Sequence, residues 1–103
     1  MIEYQKQAKL FCLSSAYNQE YLTLGLVAEA GEVAGKLAKY VRDDTGIPQL
    51  KYDMAAELGD VLWFVATLAD FYGYSLEEIA KQNIEKLSSR KQRNAIQGSG
   101  DTR

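Results

Sequence analysis

The sequence predicts an all-α fold, a four-helix bundle, on three observations. Apolar residues recur at three- and four-residue spacing along two long segments. The chain has a single proline, and no alternating apolar runs stand between clusters of turn residues. With 47% hydrophobic and 25% charged residues it is globular and not disordered. At 103 residues it lies near the lower end of what one core stabilises, so we expect one domain over residues 1–103 that completes its bundle by self-association.

The elements follow in order. A weakly amphipathic first helix is expected over about 2–13, with Ile2, Gln5, Ala8, Lys9 and Cys12 on one side. "SSAYNQ" supplies Ser and Asn caps for a long second helix, about 18–42, whose stripe of Leu26, Ala30, Val33, Leu37 and Val41 should face the core. Gly46 and Pro48 make "DDTGIPQLK" (43–51) a loop. A third helix is expected over 51–72, ending near Gly73, and its segment "VLWFVA" is apolar all round, as in a buried helix. Ser75 and Glu78 form a capping-box pattern that opens a fourth helix, 76–93. Residues 94–103 read as a flexible, glycine-rich tail. Gly25, Gly31 and Gly35 each lower helix propensity by about 1 kcal/mol, which points to close approach of another helix.

Charge and cysteine usage exclude several classes. The lone Cys12 rules out an internal disulfide framework and fits a reducing, cytoplasmic setting. "MIEYQKQAKL" has no apolar leader, and the apolar stretch from Met54 to Tyr72 carries Glu57, Asp60 and Asp70, too many carboxylates for a membrane span. A net charge of −2 gives no reason to expect nucleic-acid binding. The charges are nonetheless graded: residues 51–80 are acidic, and residues 81–103 carry Lys81, Lys86, Arg90, Lys91, Arg93 and Arg103.

Two apolar segments each hold a pair of acids three residues apart: Glu29 and Glu32 in "LVAEAGEVAGK", Glu57 and Asp60 in "MAAELGDVLWFV". On a helix this spacing aims two carboxylates at one point. Read alone, the first pair sits with Lys36 and Lys39 on an ordinary solvated face, with Glu32 and Lys36 as an i,i+4 pair. The second pair shares its face with Phe64, Thr67 and Phe71, where unpaired carboxylates are costly and a cation is called for. Four carboxylates without histidine suit a hard divalent ion, Mg²⁺ or Mn²⁺, and disfavour zinc. Magnesium held this way is commonly completed by substrate phosphates. Asn83, Lys86 and Arg90 share one face of the fourth helix and suit phosphate oxygens, although basic residues late in a helix also simply complement its dipole. Trp63, Phe64 and the tyrosines are candidates to stack on a base, against the plainer reading of aromatics as core.

"E29-A-G-E32", "E57-L-G-D60" and "N83-I-E-K86-L-S-S-R90" together resemble the MazG-like nucleoside triphosphate pyrophosphohydrolases, over about residues 20–103. Asn94 departs from the pattern, standing after Arg93 where glycine is expected. The resemblance implies an all-α homodimer or homotetramer that cleaves nucleoside triphosphates between the α and β phosphates, as a nucleotide-pool house-cleaning enzyme. It implies Glu29, Glu32, Glu57 and Asp60 as metal ligands, and Asn83, Lys86 and Arg90 as substrate-binding residues. Glu32 is the candidate general base, and Trp63 a candidate contact to the base. A dUTP-specific or phosphoribosyl-ATP pyrophosphohydrolase is the alternative within the same chemistry. A non-catalytic helical binding module is the alternative outside it.

Overall fold

The computed structural model describes residues 2–94. It contains α1 (Ile2–Leu10), a 3-10 turn (Ser14–Ala16), α2 (Gln19–Asp43), α3 (Ile47–Phe71) and α4 (Leu76–Gln92), with no strand among the described residues. The fold is all-α, as expected. The tail beyond Asn94 lies outside the described residues.

Helices α2 and α3, 25 residues each, form an antiparallel hairpin about 37 Å long. Asn18 caps α2 by accepting the backbone N–H of Tyr21 at 2.8 Å. Asp44 ends it in the left-handed region (φ 51°), its N–H bonded to Tyr40 O. The connection is tighter than the sequence predicts. Gly46, at φ 91°, turns the chain directly into α3, which begins at Ile47 with Pro48 in its first turn. A proline there removes a donor that has no intrahelical partner anyway, so it starts the helix and does not interrupt it.

The other two helices buttress one end of this hairpin. α1 is shorter than expected, stopping at Leu10 before the 3-10 turn. Its buried Gln5 donates to Ala66 O and Tyr74 O, both at 3.0 Å, and accepts the Leu76 N–H at 3.3 Å. One side chain thus ties α1 to the end of α3 and the start of α4. The Trp63 indole N–H donates to Ala8 O at 3.0 Å. Asp70 accepts from the Tyr17 hydroxyl and pairs with Lys9 Nζ at 3.0 Å. Gly73, at φ 82°, closes α3: its N–H bonds to Asp70 O, and that of Tyr74 to Ala69 O, the paired pattern of a Schellman turn. The expected capping box is present, Ser75 accepting from Glu78 N and Glu78 from Ser75 N, both at 3.1 Å.

The hydrophobic core is small and sits at this buttressed end, where Ala66, Ala69 and Leu76 cluster. Two expectations are corrected here. Leu26 and Val33 of the predicted α2 stripe turn towards α3, but Ala30, Leu37 and Val41 are exposed, the last at 73%. The α3 segment "VLWFVA" is only partly enclosed: Ala66 is buried, Val61, Trp63, Phe64 and Val65 are half-buried, and Leu62 is exposed. Both follow from there being two long helices and only short partners to cover them.

Candidate functional site

Antiparallel pairing of α2 and α3 sets residue 29 across from residues 57–60. Glu29, Glu57 and Asp60 each offer one carboxylate oxygen to a group whose atoms all lie within 4.8 Å of one another. The second acidic pair converges because its three-residue spacing puts both side chains on one side of α3. Glu29 joins them because it lies on the same face of α2 as Leu22, Leu26 and Val33, the face packed on α3. Here the reading of α2 as a plainly solvated charged face is overturned. Glu29 and Glu57 are half-buried at the seam between the helices, and Asp60 is exposed at its edge.

The electrostatics match this placement. Partial burial, then the carboxylates of Asp60, Glu57 and Glu32, hold Glu29 above its ordinary carboxylate pKa. Three carboxylates in one small space repel one another, and a cation relieves that repulsion. An all-oxygen donor set of this kind fits a hard divalent ion, and no histidine is present to favour a softer one.

Glu32, one turn on from Glu29, is exposed and lies outside the three-carboxylate group, though its charge is felt at Glu29. Lys36 makes no i,i+4 pair with Glu32. Its ammonium reaches across to α3, 3.8 Å from Glu57 Oε1. Sequence reasoning gave Lys36 to Glu32 on the solvated face and missed its reach to Glu57. The seven-residue spacing from Glu29 to Lys36 is the available signal, since it puts both on one helix face.

One turn from the acids, α2 and α3 touch closely. A Cβ at Gly25 would fall 2.2 Å from the Phe64 ring, so glycine is required for that ring to lie across α2. Gly25 therefore has the close approach expected of it. Gly31 and Gly35 do not: among the described residues nothing lies within 4 Å of a Cβ built on either. Phe64 meets Tyr21 at 6.1 Å between ring centroids, and Trp63 edge-on at 4.9 Å. Trp63 is half-buried with its N–H committed to α1, so part of its role is structural. On α4, Asn83 is exposed, Lys86 half-buried and Arg90 buried at 4% exposure. The helix thus divides the expected substrate face between solvent and interior.

An all-α hairpin carrying an acidic cluster at its seam is the class of protein that fold and site define. Residues 17–94 match the MazG nucleotide pyrophosphohydrolase domain, and the chain belongs to that family. It is 49% identical over 85 residues to the Gene 37 protein of Mycobacterium phage L5, covering 81% of this chain and 75% of that protein. It is 39% identical over 72 residues to the Uncharacterized protein YvdC of Bacillus subtilis (strain 168), covering 63% and 68% respectively. No solved structure matches the chain significantly. Asn94, where the resemblance led to an expectation of glycine, adopts φ 56°, the left-handed conformation that glycine favours and asparagine tolerates better than most residues.

Proposed function

We propose that this protein is a Mg²⁺-dependent nucleotide pyrophosphohydrolase, with Mn²⁺ as a substitute ion, that converts (deoxy)nucleoside triphosphates to the monophosphate and pyrophosphate. The observation that carries the reading is the convergence of Glu29, Glu57 and Asp60 within 4.8 Å. These three residues would hold the ion, with Glu32 as the fourth carboxylate beside them. When bound, such an ion neutralises polyphosphate charge and makes a bound water more acidic. Glu32, outside the tight group, would accept the proton of the attacking water. That water adds to the α-phosphorus, the bond from it to the bridging oxygen breaks, and pyrophosphate leaves. Lys86 and Arg90, with Asn83, would bind phosphate oxygens and offset charge on the leaving group. Trp63 and its neighbour Phe64 offer ring surface to the base.

The biological reading is nucleotide-pool house-cleaning in the cytoplasm, in line with the free thiol of Cys12. No helix of the described residues is long and apolar enough to cross a membrane, and no nucleic-acid partner is proposed. The test is pyrophosphate release from a panel of canonical and modified nucleotides, with and without Mg²⁺. Turnover of dUTP alone, or of phosphoribosyl-ATP alone, would select the narrower enzymes. No turnover, together with no Mg²⁺-induced rise in thermal stability, would select the binding module, because a ligand selective for the native site must stabilise it.

We also propose a homodimer or homotetramer. Leu26, Val65, Leu68, Tyr72 and Ile79 line an open apolar cleft of about 350 Å³. Helical register puts Ala30, Leu37 and Val41 on the same face of α2 as Leu26, and Leu58 and Leu62 on the same face of α3 as Val65. Among the described residues only Ala8, Leu22, Ala66, Ala69 and Leu76 are buried hydrophobics, a small core for two 25-residue helices. A second hairpin laid on this face would complete the bundle. Light scattering should give a dimer or larger. A monomeric, folded and active wild type would refute it.

A further inference from the structure

We propose that Lys36 is an exchangeable counterion: it neutralises Glu57 while the carboxylate cluster holds no metal, and moves to the polyphosphate when metal and nucleotide bind. The inference rests on the proposed function and assigns a role to a residue outside the acidic motifs and the basic face of α4. Lys36 Nζ is 3.8 Å from Glu57 Oε1, with the lysine side chain 31% exposed and the glutamate 13%. Glu57 is also one of the three carboxylates whose oxygens lie within 4.8 Å of one another. A divalent cation and the lysine ammonium therefore draw on the same carboxylate, and their like charges oppose joint occupancy.

The geometry of α2 makes the exchange local. Lys36 lies seven residues beyond Glu29, two turns along one face, so its stem stays anchored on the seam when its head lets go of Glu57. The lysine head is a point charge on a flexible four-carbon stem, with donors that rotate freely, and so transfers readily between a carboxylate and a phosphate. A triphosphate brought to the acidic cluster arrives with several negative charges within that stem's range. The ammonium released from Glu57 then has a stronger partner than the one it left. One residue thus lowers affinity for the free metal and raises affinity for the metal–nucleotide pair, which favours loading the two together.

Opposite signs in two titrations test this. Calorimetry with Mg²⁺ alone, on wild type and Lys36→Met, should show the variant binding metal several-fold more tightly. Titration with a non-hydrolysable triphosphate at saturating Mg²⁺ should show it binding nucleotide about tenfold more weakly, the range for one lost charge-assisted contact. Lys36→Arg keeps the charge and should behave like wild type in the metal titration. Unchanged or weaker Mg²⁺ binding by Lys36→Met would overturn the proposal, as would nucleotide affinity equal to wild type. Circular dichroism establishes that the variants are helical. Failure of the enzyme reading looks different: wild type itself would then bind no metal and release no pyrophosphate.

Discussion

The two ends of the α2–α3 hairpin are built on different terms. At the buttressed end Gln5, Trp63 and Asp70 each bind a partner from another part of the chain, and Ala66, Ala69 and Leu76 are buried among them. Along the acid-bearing stretch α2 faces α3, like charges crowd, and among the described residues nothing lies within 4 Å of a Cβ built on Gly31 or Gly35. The first region supplies stability. The second forgoes stability to keep charge available, as ligand sites commonly do. Their boundary is the Gly25–Phe64 contact, where α2 and α3 approach too closely for any side chain at residue 25.

The largest effect should come from the acid-bearing stretch. Asp60→Asn is expected to lower the rate of pyrophosphate release by at least roughly a hundredfold, as for loss of one preorganised electrostatic group. Thermal stability should hold or rise, because one of the mutually repelling carboxylates is gone. A variant that loses activity only through loss of helicity would erase the contrast between the two ends. Next, Gln5→Leu should destabilise the fold by about 1–3 kcal/mol, since it strands the Leu76 N–H and removes donors from two carbonyls. Urea denaturation measures this, and Mg²⁺ affinity should stay unchanged.

Gly25→Ala tests the boundary itself. Overpacking against the Phe64 ring should cost about 1–3 kcal/mol, and should also weaken activity by displacing the ring from its place beside the acids. Gly31→Ala, with open space around its Cβ, provides the control for helix propensity in the isolated chain.

The smallest effects, and the sharpest comparison, concern pH. The Tyr17 hydroxyl first, and the Lys9 ammonium after it, hold Asp70 below its ordinary value of 3.8. A depressed carboxylate contributes stability that is present above the unfolded value and is lost as pH falls through the folded one. Glu29 is shifted upward, so its sign is reversed: above its ordinary value of 4.5 the folded protein holds the proton more tightly, and stability falls as pH rises through that window. Melting temperature followed from pH 7 to pH 3 should therefore rise slightly and then fall. Glu29→Gln should remove the rise, and Asp70→Asn should flatten the fall. Curves of unchanged shape in both variants would show that neither group governs the response.

Much of this was legible in the residues. Three- and four-residue periodicity, Asn18, Gly46, Gly73 and the Ser75–Glu78 pair predict four helices, because capping and propensity act over a few neighbouring positions. The pairing of Glu57 with Asp60 could be read for the same reason: a three-residue spacing fixes two side chains on one helix face whatever surrounds it. The boundary before Pro48 could not, since a proline that breaks a helix and one that begins it look alike until the preceding turn is known.

What the sequence by itself determined, then, is the identity of the helices and the pairing of acids within each. Tertiary structure alone decided which face of α2 meets α3, and with it that Glu29 joins Glu57 and Asp60, that Lys36 crosses to Glu57, and that Leu37 and Val41 stay exposed. The physical reason is that α2 carries two usable faces, one apolar throughout and one mixed with charge. Periodicity ranks them by hydrophobicity, whereas the rotation of a helix about its axis is set by all the partners it packs against.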